Sequence, residues 1–450
     1  MVPNARLIPP DPMTRSDGVS GWPLVVLLAA TQLTAFADRF LLTLVATPAK
    51  QALGLSDTQL GLLQGSAFVL PYALILPFLG TLADRGRQRG LLLAGLALWS
   101  GATAACALAE SFTGLLAARL VLGIGQAAVA PTALSLLAVR LDRRHLGRGV
   151  SGLTTGAALG RSLALLLGGL VLGWLVSREA PLLPGLAPWQ TLLVLAVLPN
   201  LLLVPLLMAV RSTPRPVRPV SARIALAWIG RRRGAYLAMA AAATASVLMS
   251  QTLGAWAPTF FVRRFGLTPA ESGLWLGLTA VAAAPLGHLA GGALLDHLRR
   301  NGRKDAGPRL LALALWLAVP ATVLAGLSPS LALSLVGFAA LVMVLGMASP
   351  AWLSGLQLLT PRALRGRVSG LFLAVITLVG LGTGPALVGL LSDRVFGEDG
   401  LGLALVVLFA GAGGLGALAA SAARRLWPKR SLRHRSWRFS RISVTKRSNR

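Results

Sequence analysis

Residues 54–84 of this chain read GLSDTQLGLLQGSAFVLPYALILPFLGTLAD, and residues 266–296 read GLTPAESGLWLGLTAVAAAPLGHLAGGALLD. The second stretch repeats the first at an offset of 212 residues. The coinciding positions are Gly54 with Gly266, Gly61 with Gly273, Gly65 with Gly277, Gly80 with Gly292 and Asp84 with Asp296. The tetrapeptide VSGL also recurs, at 150–153 and 368–371, an offset of 218. Duplication over this length predicts two similar halves.

Long apolar segments extend this pattern over the whole chain. The 450 residues are 55% apolar and only 13% charged, which is not the composition of a soluble protein. Runs of about 20 apolar residues, the length that a helix needs to cross a bilayer, occur near 22–46, 60–83, 90–109, 112–138, 150–176, 189–210, 236–260, 270–295, 309–326, 330–358, 367–392 and 400–422. We therefore predict an all-α membrane protein with twelve transmembrane helices in two six-helix repeats.

Basic residues are distributed unevenly between the two sides of these segments. The chain has 43 Lys and Arg against 14 Asp and Glu, a net charge of +29. Of the basic residues, 35 fall in the termini and in the loops after even-numbered segments, and five fall in the loops after odd-numbered segments. Because loops rich in Lys and Arg stay cytoplasmic, both termini are expected in the cytoplasm and the protein in the plasma or inner membrane. The positive charge thus reflects topology, and no nucleic-acid partner is expected.

The same segments predict the domain organisation. The parts are a cytoplasmic N-tail at 1–21, a first six-helix bundle at 22–211, a basic cytoplasmic linker at 212–235, a second bundle at 236–422 and a basic tail at 423–450. The tail has no acidic residue after position 423 and suits the anionic lipids of the inner leaflet. A solvated tail that only sets topology is the alternative. We expect a monomer.

Both copies of the repeat also predict where their helix begins. Ser56 and Thr268 are followed three residues later by Gln59 and Glu271, which is the spacing of a capping box. Each pair can satisfy free backbone N–H groups at the membrane boundary. Pro269 fits the first helical position, where a missing N–H costs nothing.

A second shared pattern closes the same helix in each half. A glycine precedes an aspartate by one turn in GTLAD at 80–84, and GALLD at 292–296 repeats it. Such a glycine allows a neighbouring helix to approach, and the carboxylate can then meet a helix N-terminus or an arginine. We predict a latch between the halves that can be held or released, in which Asp84 holds the outward-open state and Asp296 is the weaker copy. Its residues are Gly80, Asp84, Arg85, Arg87, Gly292 and Asp296.

These motifs resemble those of the major facilitator superfamily, whose loop after helix two reads GxLaDRxGRR. Here the loop reads GTLADRGRQR, and helix four carries the similar pattern Arg119-x-x-x-Gly123-x-Gly125. From about residue 25 to 422 the chain resembles the Spinster-like branch most, in Asp38-Arg39, in GLSDTQLGLL at 54–63 and in GIGQA at 123–127. That branch has Glu where this chain has Gln126. The resemblance implies a secondary active transporter that works by alternating access.

Only one acidic residue, Asp38, lies well inside an apolar segment. A charge there is costly, so it should line a cavity and find a partner. At about 1.5 Å per residue, Asp38 and Arg119 lie at similar depth and could meet. We interpret both as a proton-coupling pair. The alternatives are a permanent ion pair of Asp38 with Arg39 or Arg119, and a direct role of Arg119 as an anion ligand.

Four further residues are assigned to a substrate cavity: Arg39, Gln126, Arg161 and His288. Gln126 follows Arg119 by two helical turns on the same face. Arg161 lies in the middle of its segment with no obvious partner, and helix packing is its alternative role. His288 could titrate near neutral pH, and a hydrogen-bonded packing histidine is the other interpretation.

The leading function is secondary active transport of a small organic or amphipathic solute, coupled to protons. An organic anion:cation symporter and a non-transporting receptor on the same fold are the alternatives, and sugar, drug, lipid-like and anionic cargoes all stay open. No enzyme motif is present in the sequence. No catalytic residue or cofactor is therefore expected. No metal site is expected either, since Cys106 is the only cysteine and cannot form a cysteine cluster. The expected partners are the solute, protons and membrane lipids.

Overall fold

A computed structural model describes residues 21–141, 145–213, 222–361 and 364–427. Within these ranges twelve helices are long and apolar enough to cross a membrane, which confirms the predicted fold class. They are α1 (Gly21–Leu44), α2 (Asp57–Asp84), α3 (Gln88–Ala107), α4 (Phe112–Arg140), α5 (Arg148–Val176), α6 (Pro188–Met208), α7 (Arg233–Phe265), α8 (Pro269–Arg300), α9 (Ala306–Leu327), α10 (Leu331–Leu359), α11 (Arg367–Phe396) and α12 (Leu401–Arg425). Short helices at Ala46–Leu53 and Ala222–Gly230 lie after α1 and before α7.

We call α1–α6 the N-terminal half and α7–α12 the C-terminal half. The proximal end of the bundle holds the start of α1 and the end of α12, and the distal end is the opposite one. The expected tails fall almost wholly outside the described residues, at 1–20 and 428–450, as does part of the expected linker, at 214–221.

The two predicted capping boxes are present at the distal end. The Ser56 hydroxyl accepts a hydrogen bond from the Gln59 backbone N–H at 3.1 Å, and the Gln59 side chain accepts one from the Ser56 N–H at 3.0 Å. Thr268 and Glu271 make the same exchange at the start of α8. Gly54 and Gly266, which are equivalent in the repeat, have φ of +61° and +68°. These positions favour glycine because a Cβ is strained in the left-handed region.

Three spanning helices are interrupted near their middle. In α2 the regular helix stops at Gln64 and resumes at Ser66, with Gly65 at φ −110° and ψ −90°. Milder breaks, at residues with helical backbone angles, follow Gln126 in α4 and Leu195 in α6. Carbonyl groups at a break lose helical partners and can accept other donors. All three breaks lie in the N-terminal half.

Small residues set the closest helix contacts. A Cβ at Gly156 or Gly160 of α5 would strike the backbone of α1 at Ala29 or Leu33, so α5 packs against α1 without intervening side chains. The halves meet mainly where α5 contacts α8 and where α2 contacts α11. Among the described residues, every hydrogen bond that joins the halves lies in the distal part of the bundle. The deepest of them is the bond from the Ser66 hydroxyl of α2, and the others lie at the distal boundary, so the distal end is closed.

Candidate functional site

The Asp38 carboxylate lies inside the N-terminal half with 3% of its surface exposed. Asn200 of α6 donates a hydrogen bond from Nδ2 to Asp38 Oδ2 at 2.7 Å. Thr103 of α3 lies beside the carboxylate, and the Trp99 indole N–H faces it without completing a hydrogen bond. Asp38 is therefore held by neutral donors.

The expected contact of Asp38 with Arg119 is not made in this conformation. The ion pairs among the described residues involve no acidic residue except Asp57, Asp305 and Glu398. Arg119 is buried, and its Nε donates to the backbone carbonyl of Leu63 at 3.0 Å. Leu63 lies next to the break in α2, where carbonyl oxygens become available. Equal depth alone thus did not bring the two side chains together.

Arg39 points away from its neighbour Asp38, into a group of aromatic rings. Its Cζ lies 4.3 Å from the centre of the Phe68 ring and 5.5 Å from that of Phe40. One terminal nitrogen, Nη2, is buried and has no hydrogen-bond partner. Cation–π contacts occupy the faces of a guanidinium but leave the N–H groups on its edge free.

Arg161 reaches the same aromatic group from α5. Its Cζ lies 5.6 Å from the Phe40 ring, and Arg119 and Arg161 both lie near Arg39. Three arginines from three helices therefore share the interior of the N-terminal half with a single carboxylate, Asp38. We name Arg39, Arg119 and Arg161 the arginine cluster.

Two glutamines flank the arginine cluster. Gln126 is buried and donates from Nε2 to the Ala35 carbonyl at 2.7 Å, one turn before Asp38 on α1. Gln64, at the break in α2, is 4% exposed, and neither of its side-chain polar atoms has a hydrogen-bond partner. A buried amide without partners normally costs free energy. The Gln64 side chain therefore has a free donor and a free acceptor with which it can bind a ligand.

His288 lies elsewhere. It is exposed on α8, and its Nδ1 is 2.8 Å from the Ala284 carbonyl of the same helix. The same nitrogen would lie 3.3 Å from a Cβ at Gly346 of α10, so the ring packs within the C-terminal half, whereas Asp38 and the arginine cluster belong to the N-terminal half.

The predicted latch residues lie at the proximal end. Asp84 accepts a hydrogen bond from the Ser135 hydroxyl at 3.0 Å, within its own half. A Cβ at Gly80 would be 3.7 Å from Pro131, an ordinary contact, and Gly292 faces open space, so neither glycine permits a close helix approach in this conformation. Arg85 and Arg87 are exposed. Asp296 makes no ion pair with any residue of the described ranges.

One acidic residue at the proximal end ties α12 to the loop before α9. Asp305 accepts from Arg424 Nε at 3.2 Å and pairs with Arg309 at 3.4 Å. Partial desolvation raises the pKa of the Asp305 carboxyl, but the Arg424 hydrogen bond and the Arg309 charge outweigh it and hold the pKa below its usual range.

Sequence reasoning missed Asn200 and Gln64 because it searched the apolar segments for charges. Asn200 is an amide within the apolar run 189–210, and that isolation was a usable signal. Gln64 had no comparable signal, since its importance depends on the break in α2 beside it. A buried amide in hydrocarbon needs a partner almost as much as a charge does.

The sequence model of the Major Facilitator Superfamily matches residues 28–385. The chain belongs to this superfamily. It is 28% identical over 405 residues to an MFS-type efflux pump of Mycolicibacterium smegmatis, covering 86% of this chain and 89% of that one. It is also 29% identical over 311 residues to protein spinster homolog 1 of Rattus norvegicus, covering 63% of this chain and 56% of that one.

The fold also matches a solved structure. A bacterial homolog of the human lysosomal transporter Spinster, crystallised in an inward-facing and unoccupied conformation, superposes with a TM-score of 0.77 at 22% identity. The superposition covers 90% of this chain and 98% of the other. The similarity to Spinster proteins is thus confirmed, and this superfamily member is a multi-pass membrane transporter and not an enzyme.

Proposed function

We propose that this transporter moves small organic anions by alternating access, in symport with protons. The observation that carries the proposal is the arginine cluster: three intramembrane guanidinium groups share the interior with one carboxylate, and none of the three takes part in an ion pair with a described residue. A protein interior with this excess of positive charge favours a negatively charged occupant.

Each intramembrane charge costs free energy. An arginine at the centre of a membrane helix costs at least about 2.5–3.5 kcal/mol on insertion scales. Arg119 lowers that cost by donating to the Leu63 carbonyl, whereas Arg39 keeps a buried N–H group without an acceptor. A carboxylate can accept two parallel hydrogen bonds from the edge of a guanidinium. An anionic solute would supply the missing acceptor and charge.

Asp38 is the proposed proton site. A carboxylate in hydrocarbon that lacks a cation is stabilised by taking up a proton, and here the neutral Asn200 amide donates to Asp38. A movement that turned Arg119 from Leu63 toward Asp38 would favour proton release. One proton and one monovalent anion would then cross together, with no net charge moved.

The proposed orientation is based on the basic loops, which favour a cytoplasmic location for both termini. The distal end is then the external side, and its closure corresponds to an inward-facing state. We propose a monomer in the plasma or inner membrane, with the basic linker and the basic tail against anionic lipids of the inner leaflet.

Proteoliposomes test this function. Vesicles with a pH gradient are offered a panel of aliphatic and aromatic carboxylates, a neutral sugar and a cationic drug, in both gradient directions, because one relative is named an efflux pump. We expect gradient-driven accumulation of carboxylates. Transport of the sugar or the cation, with no carboxylate moved, would contradict the proposal.

A matched pair of variants tests the arginine cluster itself. Arg161→Gln should raise KM for the anion by about tenfold or more, since a charge-assisted contact is lost. Arg178→Gln is the control, because Arg178 is exposed beyond α5 and stacks on Trp174. Equal KM values in the two variants would show that Arg161 does not bind the anion.

A further inference from the structure

At the distal end, a carboxylate of the N-terminal half is enclosed by partners. The Asp57 side chain has 0% of its surface exposed. Arg263 of α7 binds both of its oxygens, at 2.6 and 2.7 Å, Lys50 donates at 2.6 Å, and the Ser392 hydroxyl donates at 2.6 Å. Arg263 and Ser392 belong to the C-terminal half, so this carboxylate joins the halves.

A carboxylate of the C-terminal half makes the reverse contact. Asp393 accepts hydrogen bonds from the backbone N–H groups of Asp57 and Thr58, at 3.0 and 2.7 Å, and from the Thr58 hydroxyl at 2.6 Å. These N–H groups form the first turn of α2, the positive end of its dipole. One half thus caps a helix of the other, in addition to the cap that Ser56 supplies.

The equivalent contact in the repeat lacks charges. The offsets 212 and 218 relate α2 to α8 and α5 to α11, so the α2–α11 contact corresponds to the α8–α5 contact. Pro269 stands at the position equivalent to Asp57, and Leu175 at that of Asp393. Both contacts pack glycines against backbone: a Cβ at Gly169 would lie 2.7 Å from the Ala270 carbonyl oxygen, and one at Gly389 would strike that of Asp57. The two contacts therefore differ in charge and not in closeness.

We propose that Asp57 and Asp393 form a reciprocal lock that holds the distal end closed and thereby sets the balance between the two access states. Both are positioning residues, since they lie at the distal boundary, away from the arginine cluster. The α5–α8 contact, which is uncharged and tightly packed, serves as the pivot. When the distal end opens, water replaces the partners of Asp57, and α2 keeps only its own Ser56 cap.

Removing the charge of Asp57 makes closure unfavourable. With Asn at this position, Arg263 would lose both of its short contacts and keep only the exposed Glu398 carboxylate at 3.8 Å, whereas Lys50 would keep Glu398 at 2.6 Å. Leaving one member of a buried pair uncompensated costs more than removing both. Asp57→Asn therefore shifts the population toward the distal-open state, and adding Arg263→Gln reverses much of that shift.

The readout is thiol labelling of purified protein in detergent, which does not depend on a transported substrate. Ser66→Cys places a thiol in the closed interface, where the Ser66 hydroxyl donates to the Gly382 carbonyl. The native Cys106 is 3% exposed within the N-terminal half and reports unfolding. Mass spectrometry after maleimide treatment separates the two thiols.

In the Ser66→Cys background, Asp57→Asn should speed labelling at position 66 by about tenfold or more, with Cys106 still protected. Asp57→Asn with Arg263→Gln should return the rate to within about threefold of the background. Asp399→Asn, an exposed acid six residues after Asp393, should leave it unchanged. An unchanged rate in Asp57→Asn would overturn the lock, as would equal labelling of both thiols, which would mean a structural role only.

Discussion

Asp38→Asn separates proton coupling from folding because the change removes a charge and keeps the shape. The introduced carboxamide oxygen can accept the hydrogen bond that Asn200 now donates at 2.7 Å. Asn200 Oδ1 is buried and has no partner, so the same side chain also offers an acceptor for the new NH₂ group. We therefore expect a stability change within about 1 kcal/mol, the net value of one hydrogen bond.

The effect on coupling should be much larger. Asp38 is the only proposed intramembrane proton site, so one proton accompanies one anion. A pH difference of one unit is worth about 1.4 kcal/mol, which sustains about tenfold accumulation of the anion. Asp38→Asn should abolish this accumulation of the anion and still allow its downhill exchange across the membrane.

Proteoliposomes with the membrane potential clamped measure both quantities, and melting of the purified variants checks folding. Asp399→Asn makes the same chemical change in an exposed loop and should retain tenfold accumulation. If Asp38→Asn still concentrates the anion about tenfold per pH unit, the proton binds elsewhere, and His288 becomes the next candidate. If the variant does not fold, Asp38 is a structural residue.

Further predictions concern topology, the latch and packing. Reporter fusions after residues 86, 230 and 430 should report the cytoplasm and one after 180 the outside; an external C-terminal report would reject the topology. Asp84→Asn should slow transport with expression nearly unchanged, because the proposed outward-open latch loses its carboxylate; normal flux would contradict this. Gly160→Ala should lower the melting temperature, since a Cβ there strikes α1, whereas Gly411→Ala, which faces open space, should not. Asp305→Asn should destabilise the protein at neutral pH; because the native pKa of Asp305 is lowered, its contribution is present at neutral pH and disappears as pH falls through that pKa.

Sequence alone determined the features that depend on neighbouring residues. Segment length and hydropathy located all twelve spanning helices, because crossing hydrocarbon requires a continuous apolar run. The capping boxes at Ser56 and Thr268 were equally local, since each involves groups three residues apart. The repeat likewise identified Gly54 and Gly266, whose positive φ suits glycine.

Only the tertiary structure decided which polar groups meet. Asp38 and its donor Asn200 are 162 positions apart, and Asp57 and Arg263 are 206 apart. Depth in the membrane suggested Arg119 as the partner of Asp38, but the rotation of each helix and the break in α2 direct Arg119 to a carbonyl. Such pairings depend on which faces of distant helices come together and on which access state is occupied. No local pattern in the chain records either.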